Sequence, residues 1–560
     1  MKNNINIRNL FGLIVLMVVS VAVSGQDVGS SIIVINSGFT PEIKDAKKIS
    51  HKPELPDTNY TAPEFSYSIV SSRIHVPFQP RPIGAAKMEG EKLDKIYKGY
   101  VAVGFGNYAS PYLDLRYSLG RSRDMKAGVA IQHFSSAGEI KDYIFPGVSD
   151  NQVGGYFTKL WKKNYFTATG SYHRNMVHYY GVNKLDTALT NGEDLTDATN
   201  EHLFNRFNVN LDFGRHNLKR SKTNFNTAIG YKYILDNYES RENALDIEAF
   251  IDRDVNFFKA KQQKLGIAAG FQFFNNSDSV SFNNAYILDL KPYYYFKTEK
   301  VDLQIGFKMN VADDSLTEVF FYPDLNINFR VIEDILSFNF LMSGGAYKQN
   351  YNDLTAENPF VNALLPMQIS NNQFKSKLTM ISSISRNIDF QLSLDYENWK
   401  NGAFFVVDTT IALRNKFSLV YDDYDLINLG AQVAAHFNEK LDVIFKADYY
   451  AYNLKNELFA WHKPDYKLSL LGHYRIADKI RVNADITYFG PMKSLDYENN
   501  VRTSKDIDAW FDLSLGVEYR YKKRIGFFVN FNNIAASRYQ KWYNYPSYGF
   551  NFLAGASYLF

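Results

Sequence analysis

The stretch "IRVNADITYF", residues 480–489, puts Ile480, Val482, Ala484, Ile486 and Tyr488 on one parity and Arg481, Asn483, Asp485 and Thr487 on the other. A period of two is that of a β-strand with one apolar face. The pattern returns in "IDFQLSLDYE" (388–397), "FNVNLDF" (207–213) and "FDLSLGVEYRY" (511–521). It holds to the last residue, where "GFNFLAGASYLF" (549–560) places Phe550, Phe552, Ala554, Ala556, Tyr558 and Phe560 in one register. A soluble sandwich accommodates one such strand. Repetition along most of a chain needs a different solvent.

The periodic runs extend over about 10 to 14 residues, whereas strands of soluble proteins usually have about 5–6. Aromatic residues gather near their ends, as in "FKADYYAY", "KPYYYF" and "FQFF", where an outer-membrane barrel carries its interfacial girdles. A bilayer offers no water to an open sheet edge, so such a sheet must close on itself. The fold expected is all-β: a large transmembrane antiparallel β-barrel of the outer membrane with a polar lumen and about 22–24 strands.

Composition agrees. Aromatic residues make up 16% of the chain, with 44 Phe and 40 Tyr against 5 Trp, yet the mean hydropathy is −0.30. That combination excludes a bundle of membrane helices and suits strands whose aromatic residues alternate with polar ones. The chain has no Cys, which excludes disulfides, thiolate metal sites and acylation of an N-terminal cysteine. The net charge is +3, with basic residues spread evenly, so nucleic acid is not an expected partner.

"MKNNINIRNLFGLIVLMVVSVAVSGQD" has basic Lys2 and Arg8, an apolar run from Leu13 to Val23 and small residues before Gln26. It reads as a signal peptide, residues 1–25, cleaved after Gly25. Residues 26–96 read as a short N-terminal periplasmic or lumenal segment. Seven of the chain's 16 prolines fall between Pro41 and Pro82, which suits extended chain rather than a packed domain. The barrel is expected over 97–560. Short polar turns recur there, among them "SLGRSRD", "WKKNY", "FKTEKVD", "FNEKLD" and "RYKKRI". Longer connections at 136–150, 179–202, 349–372, 489–506 and 535–547 come between them, as expected for periplasmic turns and extracellular loops.

The closing stretch "FFVNFNNIAASRYQKWYNYPSYGFNFLAGASYLF" (527–560) resembles the end of TonB-dependent receptor barrels. There an Asn-rich penultimate strand ("NFNNI") leads through a loop with Tyr and Pro into a Gly-containing strand ending in Phe. "YVAVGFGNYASPYLDLRYSL" (100–119) and "IQHFSSAGEIKD" (131–142) are similar to the barrel start of receptor-like proteins of the Bacteroidetes type. The resemblance implies an outer-membrane receptor that takes up a nutrient. It also implies a globular plug in the lumen, and residues 26–96 are too short for a full one. "SIIVINSGFTPEIKDA" (31–46) could serve as a TonB-contacting strand, although a tether is the favoured reading.

Candidates for chemistry are few. "SYHRNMVHYYG" (171–181) holds His173 and His178, whose odd separation puts them on opposite faces of a strand. The acidic runs "DDYD" (422–425) and "NGEDLTDATNE" (191–201) lack the spacing of a calcium loop and read as solvated loop tips. "GFGN" (104–107) belongs to a strand rather than a phosphate loop. Arg481, Asp485, Asp389 and Asp395 fall on the lumen parity, where they would touch cargo or bond one another. No catalytic, metal-binding or cofactor-binding residues are assigned, no cofactor is expected, and the substrate-binding residues are unknown from sequence. Expected partners are outer-membrane lipid, the barrel assembly machinery through the C-terminal strand, and a TonB-type protein or a surface lipoprotein. Two functions compete: receptor-like nutrient transport, which is favoured, and a structural barrel whose lumen is closed by its own loops or by a partner.

Overall fold

The computed structural model describes residues 97–560 except 121, 186–199, 216–221, 279–281 and 499–500. The chain divides into two units, Met1–Leu93 and Asp94–Phe560, and the described residues lie in the second. The signal peptide, the segment 26–96 and most of the acidic run 191–201 fall outside them.

Twenty-two strands form one sheet, each antiparallel to its neighbour, and the last pairs with the first. Gly99–Gly106 lies beside Asn551–Leu559 with Tyr100 opposite Leu559 and Gly106 opposite Leu553. The amides of Lys98 and Gly99 donate to the Phe560 carbonyl at 2.9 and 3.0 Å, and the Phe560 amide donates to Gly99 O at 2.9 Å. The ring of Phe560 covers Gly99 so closely that a Cβ there would lie 2.2 Å from it. The strand that ends the sequence therefore closes the barrel. Closure leaves no edge, which is what a hydrocarbon surround requires.

The expected parities coincide from strand to strand. Ile486 stands opposite Leu470 and Leu513, and Leu394 opposite Leu378 and Leu429. On the other parity Asp395 stands opposite Lys377. A one-residue slip would exchange the two faces, so the shared register carries an apolar band outward and a polar lining inward.

The observed count of 22 is the lower bound of the expected range. Two further strands, Met492–Glu498 and Val501–Ile507, form a separate hairpin within a long connection. Strand lengths depart from the expected 10–14 residues. Those beside the seam have as few as 8 residues, as in Gly99–Gly106, while Phe417–Phe437 has 21. At about 3.3 Å per residue and a tilt near 40°, the wall rises from roughly 20 Å at the seam to roughly 50 Å on its tall side. The extra length carries the tall strands above the bilayer, where their inner faces become part of a lid.

Short turns lie where expected, for example at 161–163, 298–300 and 438–440. The opposite end is mixed. It carries the long connections, but also tight ones at 107–109, 237–240 and 314–316. Length therefore alternates less strictly than the sequence suggested, because only part of the rim contributes to the lid.

Candidate functional site

At the long-connection end of the barrel, the chain's own connections pack on one another. Tyr180, in the connection after Asn164–His178, meets Tyr545 edge-on at 4.8 Å, and Phe360 stacks on Tyr545 at 3.9 Å. These residues come from three separate parts of the ring. With Val361, Leu354, Phe417, Phe405 and Trp542 they form one buried apolar cluster. A second cluster joins Trp461 and Leu495 to Phe404 and Val406 on the tall strand Ile388–Val407. Burying each such side chain is worth about 1.5–3 kcal/mol, so the lid is a folded core.

Connection 349–368 shows how the lid is attached. Asn350 caps the helix Tyr351–Glu357 by accepting from the Asp353 amide at 2.9 Å. Glu242, on the rim strand Arg241–Asp254 and only 1% exposed, accepts from the Tyr351 and Asn352 amides at 2.6 and 3.2 Å. A carboxylate there answers the helix's unpaired amides and its positive end. The Tyr351 hydroxyl donates to Asp236 Oδ2 at 2.5 Å, and His202 Nε2 lies 2.9 Å from the same oxygen. Asp236 Oδ1 accepts from the Tyr238 and Ser240 amides. The Tyr179 hydroxyl bonds His202 Nδ1 and donates to Val361 O at 2.7 Å. The strands Glu201–Arg215, Thr223–Asp236 and Arg241–Asp254 thus hold the start of the connection, and Tyr179, just beyond the strand Asn164–His178, holds it at Val361.

Connection 455–465 is held differently. Asp422 accepts from the Asn456 and Glu457 amides at 2.9 and 2.8 Å and from Asn456 Nδ2 at 2.8 Å. Fully buried Trp461 donates to Glu457 Oε2 at 2.9 Å. His462 donates from Nδ1 to Phe405 O at 3.0 Å, while its Nε2 accepts from the Tyr543 amide at 3.4 Å. Burial pushes the His462 pKa down to about 4, so the imidazole is neutral in the closed lid at neutral pH. Burial also raises the hydroxyl pKa values of Tyr179, Tyr351 and Tyr545, which keeps these phenols as donors.

Below the lid the lumen wall carries cross-strand ion pairs. Lys377 reaches Asp395 at 3.0 Å, Lys375 reaches Glu397 at 2.6 Å, and Lys291 reaches Asp324 at 2.9 Å. Of the lumen residues singled out from sequence, Arg481 lies 3.5 Å from Glu518 and Asp485 accepts from Thr487. Asp389 accepts from Ser383 and lies 3.9 Å from His436. Arg481, Asp485 and Asp389 are thus each partnered by a neighbouring residue of the wall and not by one another.

The two histidines stay apart. His173 bonds Asp150 at 2.8 Å, whereas buried His178 bonds Gly147 O at 2.6 Å. "DDYD" corrects the reading as a loop tip: residues 422–425 lie within the strand Phe417–Phe437. Asp422 anchors a lid connection, and Asp425 accepts from the Tyr396 hydroxyl and Asn398 Nδ2. Acids in a run suggest solvent, but Asp422 is buried and its carboxylate is answered by the amides of the connection it anchors. Among the described residues no group of three or more His, Asp or Glu is placed to hold a metal ion. Sequence reasoning missed Glu242, Asp236 and His202 altogether. A signal for the helix was present, since Asn350 precedes acidic Asp353 by three residues.

Solved structures share this architecture. The siderophore receptor PirA from Acinetobacter baumannii matches with a TM-score of 0.64 at 12% identity, over 84% of this chain and 81% of that one. The ferric enterobactin receptor PfeA from Pseudomonas aeruginosa matches with a TM-score of 0.62 at 12% identity, over 84% and 82%. P. aeruginosa FpvA, in complex with a pyoverdine and iron, gives 0.63 at 12% identity, over 83% and 72%. The fold is that of the siderophore-receptor barrels. The sequence matches no protein-family model and no curated protein. Similarity to the siderophore-receptor fold therefore rests on three-dimensional arrangement at an identity too low to align side chains one by one.

Proposed function

We propose that this protein is an outer-membrane receptor-type transporter whose lumen is the solute path and whose lid is the outer gate. The observation that carries the reading is a closed barrel of siderophore-receptor fold with a polar, ion-paired lumen beneath connections that pack on one another at the mouth. The comparison structures include receptors bound to pyoverdine and to enterobactin, and one in complex with pyocin S2. By analogy the cargo is a scarce nutrient and the energy comes through a TonB-type protein. The chain is read as exported by signal peptide 1–25, with 26–96 serving as a periplasmic or lumenal segment in place of a full plug. Its other partners are outer-membrane lipid and the assembly machinery that receives the closing strand. The reading is non-catalytic.

Planar-bilayer conductance tests it. Wild type is expected to conduct poorly, and replacing 350–367 by a short Gly-Ser linker to open large, stable channels. A TonB-type protein is expected to co-purify with the full chain and not with a chain lacking 26–96. A second reading, a non-transporting envelope scaffold, is favoured by the packed core of the lid. It predicts that the linker variant stays closed and that a surface partner is lost with the lid.

A further inference from the structure

On the outward face of the strand Gln262–Ser277, Leu265 and Ile267 are exposed, and Gln263 shares their parity. A glutamine at the foot of a lipid-facing row would lose its hydration, yet Gln263 is only 3% exposed. The turn 255–261 covers it. Gln263 Oε1 accepts from the Phe257 and Phe258 amides at 2.9 and 3.0 Å and from the Tyr294 hydroxyl at 2.8 Å. Its Nε2 donates to Phe258 O. Tyr294 stands opposite Leu265 and so faces outward too, and the Phe257 ring lies 6.1 Å from the Tyr294 ring. The turn is therefore folded to the outside of the barrel. It takes seven residues where 161–163, 298–300 and 438–440 take three.

Its tip carries two bare phenyl rings. Phe257 is 63% exposed and Phe258 69%, and the bonds to Gln263 fix the backbone that bears them. Adjacent exposed rings mark a surface that something covers. Height identifies the cover. On the outward parity near the long-connection end, a ladder of hydrogen bonds runs from the Tyr231 hydroxyl through Asn243 and Asn275 to Asn284, across four strands. Such a row marks the upper limit of the apolar band. Asn275 lies twelve positions beyond Gln263 on the same strand, which at about 3.3 Å per residue and a tilt near 40° is roughly 30 Å along the membrane normal. The apolar band of an outer-membrane barrel is about 25 Å tall, so the turn lies at its periplasmic edge. Lys259 and Lys261 follow the rings and are exposed, with Lys261 3.2 Å from Glu299 on the next turn. Phenyl rings beside ammonium groups match acyl chains beside anionic phosphates.

We propose that the turn 255–261 is a lipid-docking element of the periplasmic leaflet. Phe257 and Phe258 enter the acyl chains, and Lys259 and Lys261 stand at the anionic phosphates of the phospholipid headgroups. The proposal rests on the reading of membrane lipid as a partner, names the leaflet and the residues, and is independent of transport.

The chain has no Cys, so one introduced cysteine carries one spin label. The full chain is reconstituted in vesicles of phosphatidylethanolamine and phosphatidylglycerol, and collision of the label with oxygen is compared with collision with a water-soluble nickel chelate. Labels at Phe257→Cys and Phe258→Cys are each expected to favour oxygen several-fold more than a label at Glu439→Cys, in the exposed turn 438–440. A label at Lys259→Cys is expected to favour the nickel chelate, as a position at the phosphates requires. Ile267→Cys, on the wall above the turn, reports whether the barrel face itself meets lipid. Each label replaces an exposed side chain, and the two phenylalanine sites serve independently should one fail to give a heat-modifiable barrel. Oxygen preference at Ile267 with nickel preference at the phenylalanine sites would overturn the docking element and leave the rings to a periplasmic protein. Nickel preference at all of them would instead overturn the lipid-facing reading of the wall. A Lys259 label as shielded from nickel as that at Phe258 would overturn the headgroup placement.

Discussion

At the residue scale, His462 shows what burial does to a titratable group. Its pKa of about 4 lies below the ordinary value near 6.5, so between those values the unfolded connection binds a proton that the closed lid refuses. Stability is therefore full above pH 6.5 and is lost as pH falls toward 4, by about 3 kcal/mol at most. Proteolysis of connection 455–465 in the intact barrel is expected to rise over that window, and a flat profile would remove the assignment. Ile486 and Asp485 test the faces of the wall. Ile486→Arg is expected to cost about 2–4 kcal/mol of barrel stability if it sits near the bilayer midplane. Asp485→Asn should be mild, since Asp485 accepts only from Thr487 among its hydrogen bonds in the structure. Equal damage in a urea refolding assay would mean that the register is displaced by one residue.

At the scale of elements, the helix Tyr351–Glu357 is seven residues long, too short to persist by propensity. It exists because Glu242 receives its first amides and Asp236 receives the Tyr351 hydroxyl. Tyr351→Phe removes one donor from a buried carboxylate, at a cost of about 1–3 kcal/mol. The loss should appear as faster hydrogen exchange in 349–368 and in 179–183, with the barrel strands unchanged. Exchange rising uniformly around the barrel would show that the lid and wall unfold together. The hairpin 492–507 illustrates the same dependence: it packs Leu495 against Trp461 and Phe404 and has no place in the barrel sheet.

At the scale of the molecule, the wall is low at the seam and tallest at Ile388–Val407 and Phe417–Phe437, whose upper residues Phe405, Val407, Phe417 and Leu419 pack into the lid. Closing the barrel depends on the pairing of Gly99–Gly106 with Asn551–Leu559. There Gly555 lies so close to Val103 O that a Cβ would come within 2.2 Å. Gly555→Val is therefore expected to impair closure and yield little heat-modifiable protein on gels, whereas Ala554→Val, on the apolar parity of the same strand, is expected to be tolerated. Equal yields would show that close approach at the seam is not required.

By itself the sequence determined the barrel: period-two alternation, aromatic strand ends, the positions of the tight turns, and a final strand ending in Phe560. These are local signals, because bilayer and lumen impose the same alternation on every strand whatever lies beside it. It also placed Arg481, Asp485, Asp389 and Asp395 on the polar parity, although not their partners. Only the tertiary structure decided that connections from distant parts of the ring pack together at the mouth, that "DDYD" stands in a strand and anchors a connection, and that Glu242 caps a helix more than a hundred residues away. The lid's contacts join connections from distant parts of the ring. Nothing in the spacing along the chain records which of them will meet, because each depends on the curvature of the closed barrel and on the unequal heights of its wall.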